Sequence, residues 1–405
     1  MRLTMKERKK ATAILSPRYQ KARKKDKKQM LNEFVALTGY RRSYASYVLS
    51  THGKRKRISK NYVMQADVRK KTLRKRTKFY DEEVRKPLIK IWHIMDCICG
   101  KRLAPVLREV VPRLQRFKEI NISAEVKAKL IKISAPTIDR ALKAERRKQT
   151  IKGRSNTKAG TLLKNQIPIR TFSEWDDLRP GFAEIDLVGH DGGDAQGEFA
   201  QTLDVTDVCT TWTETEAVRK KAQKWVFDAL KDIRARLPFP LLGIDSDTGG
   251  EFINHHLYRY CQDEKLTFTR SRSYRKNDNC FVEQKNYSVV RRAVGYLRYD
   301  TEAELCILNE LYRHLRLYTN FFQPTMKLIK KTRVGSKVTK KYDKAQTPYR
   351  RVLASTYVSE QDKEKLKRLY AQLNPAGLKR QITRLQQKLL RLNAAKKSSR
   401  RAIAA

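Results

Sequence analysis

Residues 240–253 read PLLGIDSDTGGEFI, and the interpretation of this stretch decides the fold. PLLGID (240–245) predicts a short strand, and DTGGEF, with its two glycines, predicts a turn feeding a helix. Upstream, FAEIDLV (182–188), EFAQTLDV (198–205) and CTTWTETEAV (209–218) are rich in β-branched and aromatic residues. Turn-like segments such as Asp191-Gly192-Gly193 separate them. KAQKWVFDALKDIRARL (221–237) has helical spacing. Three strands, a helix, a strand and further helices predict an α/β domain over residues 181–300.

Three carboxylates in this region suit phosphoryl-transfer chemistry, which needs hard oxygen ligands converging on divalent ions from separate elements. Asp186 lies inside a strand, between Ile185 and Leu187, where a carboxylate must open into a site or be paired. Asp247 follows the strand LLGID, at the carboxyl end where open α/β sheets collect ligands. Glu283 lies early in the predicted helix FVEQKNYSVVRRAVGYL (281–297), past the basic loop SRSYRKNDNC (271–280). Asp245 rivals Asp247, since alternation would aim both to one side. His190 and Asp191 compete with Asp186 from the Gly-rich turn beyond the strand.

SDTGGEF resembles the stretch around the second aspartate of retroviral integrases and related bacterial insertion-sequence transposases, the DDE superfamily. VEQKN resembles the stretch around that superfamily's glutamate, and the strand with Asp186 occupies the place of the first aspartate. The resemblance covers about residues 181–300 and favours Asp247 over Asp245. It implies an RNase H-like fold with Asp186, Asp247 and Glu283 as catalytic residues and metal ligands. It also implies Mg²⁺ or Mn²⁺, two ions per site, and hydrolysis followed by strand transfer without a covalent enzyme–DNA intermediate. The zinc-binding His, His, Cys, Cys module of retroviral integrases has no counterpart here.

The rest of the chain points the same way. Among 405 residues, 91 Lys+Arg against 42 Asp+Glu give a formal charge of +49, which attracts polyanions by counterion release. No apolar run has membrane-spanning length, and the start, MRLTMKERKKATAILS, lacks the apolar core of a secretory signal. The expectation is a cytoplasmic, nucleoid-associated protein. The six cysteines form no C-x-x-C pair and read as reduced thiols; His93, Cys97 and Cys99 sit close together but lack the paired spacing of a structural zinc site.

Residues 27–49 predict two helices joined at Gly39, the second marked by Tyr44, Tyr47, Val48 and Leu49, with Arg41 and Arg42 at its start. The pattern fits a helix-turn-helix, with an αα-hairpin as the alternative, and the basic flanks Lys24, Lys25, Lys54, Arg55, Lys56 and Arg57 favour DNA binding. A second such block, SAEVKAKLIKISAPTIDRALKAERR, has Ser134 as N-cap of a helix carrying Thr137, Arg140 and Lys143. Arg275 and Lys276 crowd the loop before Glu283, with Arg270 and Arg272 beside them. Lys285, Asn286 and Arg291 follow Glu283, with Asn286 and Val290 near the glutamate's face. Residues 327–350 are basic and suit a small β module or a DNA-tracking loop. Leu378, Ile382, Leu385, Leu389 and Leu392 form a stripe for coiled-coil pairing or for docking on the chain's own core, and the tail after Asn393 reads as disordered.

The expected architecture is multidomain. It has an all-α helix-turn-helix N-terminal region (1–75), a second helical DNA-binding region (76–150), a linker (151–180) and an α/β RNase H-like catalytic core (181–300). A flanking helix with a basic β module (301–358) and C-terminal helices with a tail (359–405) complete it. The expected activity is that of a DNA transposase acting on double-stranded element ends and target DNA as a homo-oligomer. A non-catalytic helix-turn-helix regulator and an RNase H-like nuclease are the alternatives.

Overall fold

The computed structural model describes residues 3–59, 62–65, 79–149, 179–220, 222–246, 255–270 and 280–404. They fall into two compact units, Met1–Phe79 and Tyr80–Ala405.

In the first unit, α1 (Met5–Lys21), α2 (Lys24–Thr38) and α3 (Arg42–Thr51) enclose Tyr19, Leu31, Phe34, Ala45 and Leu49. A capping box between Thr4 and Glu7 starts α1. Gly39 ends α2 in the left-handed conformation, φ +67°, where a β-carbon would be strained. Tyr44 and Tyr47, expected on the apolar face, are 51% and 63% exposed. The inner face is set instead by Ala45 and Leu49, one helical turn apart. A hairpin of β1 (Arg55–Ser59) and β2 (Tyr62–Gln65), not anticipated from the sequence, follows.

The second unit opens with α4 (Glu82–Ile94), α5 (Gly100–Arg116), α6 (Ala124–Lys132), α7 (Ala135–Ala141) and α8 (Lys143–Gln149). The expected helix carrying Thr137, Arg140 and Lys143 is split at Leu142, so Lys143 begins α8. Leu142 is fully buried, which turns the chain there. At Gly100 the backbone N–H donates to Asp139 Oδ1 at 2.8 Å, and an added β-carbon would lie 2.3 Å from the Ala135 carbonyl oxygen. Gly100→Ala is therefore expected to destabilise this unit by about 1–3 kcal/mol. A urea midpoint unchanged from the parent would contradict the close packing of α5 on α7.

Next come β3 (Phe182–Gly189), β4 (Gln201–Asp207), β5 (Thr213–Val218), α9 (Gln223–Arg236), β6 (Gly243–Ser246), α10 (His255–Asp263) and β7 (Thr267–Arg270). They make a five-stranded mixed sheet in the order β5-β4-β3-β6-β7. The β5-β4-β3 half is antiparallel, and β3, β6 and β7 run parallel. The α/β expectation holds, with β7 as a strand that four residues of TFTR were too short to announce.

Alternation gives the sheet two unlike faces. Ala183, Ile185, Leu203, Val205 and Ile244 form one core with Val226, Leu230 and Ile233 of α9 and Leu257 of α10. The opposite face is polar and carries the candidate site.

That polar face is covered by later elements. α11 (Cys280–Lys285), a π-helical turn (Asn286–Arg291) and α12 (Arg292–Val294) form one continuous helical run, followed by α13 (Glu302–Phe322). A hairpin of β8 (Leu328–Val334) and β9 (Lys337–Tyr342) precedes α14 (Pro348–Ala354), α15 (Glu360–Gln372) and α16 (Pro375–Ala404). One apolar cluster runs from Val84 of α4 through α13 to Leu389 of α16. The stripe Leu378, Ile382, Leu385 and Leu389 is buried in it, so it docks on the chain's own core. The tail expected to be disordered is helical to Ala404. Lys396 anchors it, its Nζ 2.8 Å from Asp300 Oδ1 and from Glu304 Oε1.

Candidate active site

On the polar face, strand registers bring acidic residues together. Asp186 of β3 pairs with Asp204 of β4, and Glu184 lies between Thr206 of β4 and Asp245 of β6. Asp245 in turn faces Thr269 of β7, whose hydroxyl donates to Asp245 Oδ1 at 2.7 Å. Four carboxylates thus share the centre of one sheet face, at a cost in mutual repulsion and burial.

The helical run on this face answers that cost. Glu184 is fully buried, and its Oε2 accepts the backbone N–H groups of Phe281 and Val282 at 2.7 and 2.8 Å. A strand carboxyl thereby fixes the start of the helix that carries Glu283. Burial, with the charges of Asp245 and Glu283 adding to it, pushes the Glu184 carboxyl up to about 8. Lys285 is also buried; its Nζ reaches the Thr211 carbonyl at 3.4 Å and faces Asp204. Burial drives the Lys285 ammonium down and the Asp204 carboxyl up, and each charge restrains the other. Asn286 Nδ2 donates to Asp186 Oδ2 at 2.6 Å. Asp186 is half-buried and Glu283 is exposed.

The structure thus attaches the helix of Glu283 to the strand of Asp186. Asp247 lies outside the described residues, as do Arg272, Arg275 and Lys276. Ser246, which precedes Asp247, pairs with Ile185, which precedes Asp186. Among the described residues, no three His, Cys, Asp or Glu side chains are placed to hold one metal ion.

Several sequence expectations change. Lys285, grouped with the DNA contacts, is buried rather than on a solvated helix face. Arg291 is half-buried, its guanidinium donating to the Gly189 carbonyl at 2.8 Å and lying over the Tyr296 ring. Val290, expected near the glutamate's face, is fully buried while Glu283 is exposed. The π turn is the cause, because one wider turn rotates everything after it relative to a 3.6-residue period. Arg41, Arg42, Arg140 and Lys143 are exposed and Thr137 is half-buried. Arg42 bonds Asn32, and Arg140 Nη2 donates to Thr137 Oγ1 at 2.9 Å. Glu184 and Asp204 were missed, although the alternation in AEIDL already set Glu184 on the side of Asp186.

His190 lies away from these carboxylates. It is fully buried, with Nε2 2.7 Å from Thr202 Oγ1, which is 2.7 Å from the Tyr312 hydroxyl. Burial, and then the charge of Arg291, push its imidazole down from 6.5 to about 3. The unfolded chain therefore binds a proton that the fold refuses, and stability falls as pH drops from 6.5 towards 3. Between pH 7 and pH 5 this group is expected to remove about 2 kcal/mol. Urea titrations of the parent and His190→Gln should show that part of the acid slope missing in the variant; equal slopes would refute the assignment.

No family model matches the chain. The chain belongs to the family of the uncharacterized protein y4rM of Sinorhizobium fredii (strain NBRC 101917 / NGR234). The two are 38% identical over 343 residues, 84% of this chain and 93% of that relative. Similar solved structures include the catalytic core domain of BIV integrase, at 15% identity and TM-score 0.30 over 43% of this chain and 95% of that one. A dimeric form of the HTLV-2 integrase catalytic core domain in complex with magnesium matches at 12% identity and TM-score 0.29, over 37% of this chain and 93% of that one.

Proposed function

We propose that the chain is a DNA transposase of the DDE type, cutting and joining DNA with Asp186, Asp247 and Glu283. One observation carries the reading: an acid-bearing sheet face whose central strand is bonded, through Glu184 and Asn286, to the helix of a further exposed carboxylate. A purely structural sheet gains nothing from crowding carboxylates in this way.

The donor set suits Mg²⁺ or Mn²⁺, being hard carboxylate oxygens from separate elements. Glu184 Oε1 and Asp204 Oδ2 are buried and have no hydrogen-bond partner among the described residues, which leaves the face rich in acceptors. Asp186, Asp247 and Glu283 would hold the ions, which when bound stabilise the attacking and leaving oxygens of a phosphoryl transfer. The chain's own contribution is positional. Asn286 orients Asp186, Glu184 holds the amino end of the glutamate helix, and the Asp204–Lys285 pair sets the charge beneath. The exposed arginines at the start of α3 would contact terminal DNA, and joining two ends requires a dimer or larger assembly.

The test uses purified full-length protein, linear duplex bearing the sequences that flank its gene, and Mg²⁺. Joined products that vanish on chelation support the reading. Intact DNA under conditions where the protein binds it would refute the reading in favour of a non-catalytic regulator.

A further inference from the structure

The β8–β9 hairpin is an exposed, strongly basic element that the catalytic reading does not use. Every residue of both strands is exposed. Lys330, Lys331, Arg333, Lys337, Lys340 and Lys341 lie on it, and residues 328–342 contain no Asp or Glu.

The register sorts these cations by face. Lys330 pairs with Lys341 and Val334 with Lys337, so Lys330, Lys337 and Lys341 share one side. Lys331 pairs with Lys340 and Arg333 with Val338, so Lys331, Arg333 and Lys340 share the other. Two of these pairs, Lys330–Lys341 and Lys331–Lys340, set like charges directly opposite each other, which destabilises a ribbon that has only two strands to hold it. A polyanion along both sides would relieve that repulsion.

The base is fixed beside the candidate site. Lys327 and Asp343 close it, with Asp343 N–H donating to the Lys327 carbonyl at 2.9 Å and Lys327 N–H to Asp343 Oδ1 at 2.7 Å. Lys327 Nζ donates to the Cys209 carbonyl at 3.0 Å and lies 6.0 Å from the centre of the Phe281 ring. Phe281 stands two residues before Glu283, so the ribbon rises next to the glutamate helix.

We propose that this ribbon enters the major groove of duplex DNA leaving the active site, with three cations facing each phosphate wall. The groove is about 12 Å wide and accepts a two-stranded ribbon. The contact is to phosphates, hence indifferent to base sequence. The choice of DNA as the polyanion rests on the transposase reading, but the test reads binding rather than joining, so the two can fail separately.

Two full-length variants test it. In one, residues 328–342 are replaced by Asn-Gly between Lys327 and Asp343; in the other, all six cations become Gln with the ribbon retained. Binding to a random-sequence DNA duplex is followed by fluorescence anisotropy across KCl concentrations, after circular dichroism has shown both variants folded. Each phosphate contact adds about 0.9 to the slope of log K against log salt, so both variants should lose up to about 5 from that slope. Lys341→Glu, which gives Lys330 an opposite charge, should slow amide exchange in the free ribbon while weakening duplex binding. Slopes within about 1 of the parent in both variants would overturn the proposal. So would a larger loss on single-stranded DNA or duplex RNA than on duplex DNA.

Discussion

Asp186→Asn is expected to cut metal-dependent strand joining by about 1,000-fold or more while leaving duplex binding within about twofold. The substitution keeps the shape of the side chain and removes only its charge. Asp186 Oδ1 accepts the Leu187 N–H at 2.8 Å and Oδ2 accepts from Asn286 at 2.6 Å. An amide can satisfy one of these and must present a donor to the other. That local conflict is small beside the lost metal ligand. The charge of Asp186 also raises its cross-strand neighbour Asp204, so its removal relieves repulsion. The variant should therefore unfold no earlier than the parent at neutral pH. Loss of joining without loss of stability separates a functional carboxylate from a structural one. Parent-level joining by Asp186→Asn, with metal present, would end the catalytic reading.

Glu214→Ala should have the largest effect on folding, destabilising the second unit by about 3–5 kcal/mol. The Glu214 side chain is fully buried on β5. Its oxygens accept from Arg316 Nε at 2.6 Å and Nη2 at 2.9 Å, and from Trp212 Nε1 at 2.8 Å, with Arg236 Nε 3.6 Å away. Alanine would leave the Arg316 guanidinium, on α13, without its carboxylate in a poorly solvated setting. Arg236 keeps a second partner in Glu216 at 2.8 Å, so the damage centres on Arg316 and Trp212. Pairing Glu214→Leu with Arg316→Met should recover much of the loss, since apolar replacement of both members removes the unmatched charge. Urea denaturation of single and double variants measures this; a single-variant cost below about 1 kcal/mol would show the pair to be incidental.

Strongly periodic segments were readable from the sequence. FAEIDLV alternates because one face meets α9 and the other meets the carboxylate cluster, and that alternation is visible without coordinates. The helix of Glu283 could also be located, but not its rotation, because a π turn leaves no mark on composition. The burial of Lys285 was unreadable for a related reason. A basic residue two positions after an exposed acid reads as solvated, and only the neighbourhood of Asp204, far earlier in the sequence, makes an interior lysine tolerable. Tyr44 and Tyr47 misled because an aromatic ring looks apolar in a pattern, whereas Ala45 is small enough to let helices touch. The C-terminal helix was cut short at Asn393 because its anchors, Asp300 and Glu304, are distant in sequence.

The cluster running from α4 to α16 means that the sheet shares its interior with segments written both before and after it. A fragment of residues 181–300 alone would lose α13 and α16 from the apolar cluster that holds Val188, Ala200, Trp212 and Val290. Divergence in this family should accordingly proceed by exchange at the amino-terminal unit and by growth or loss of peripheral ribbons.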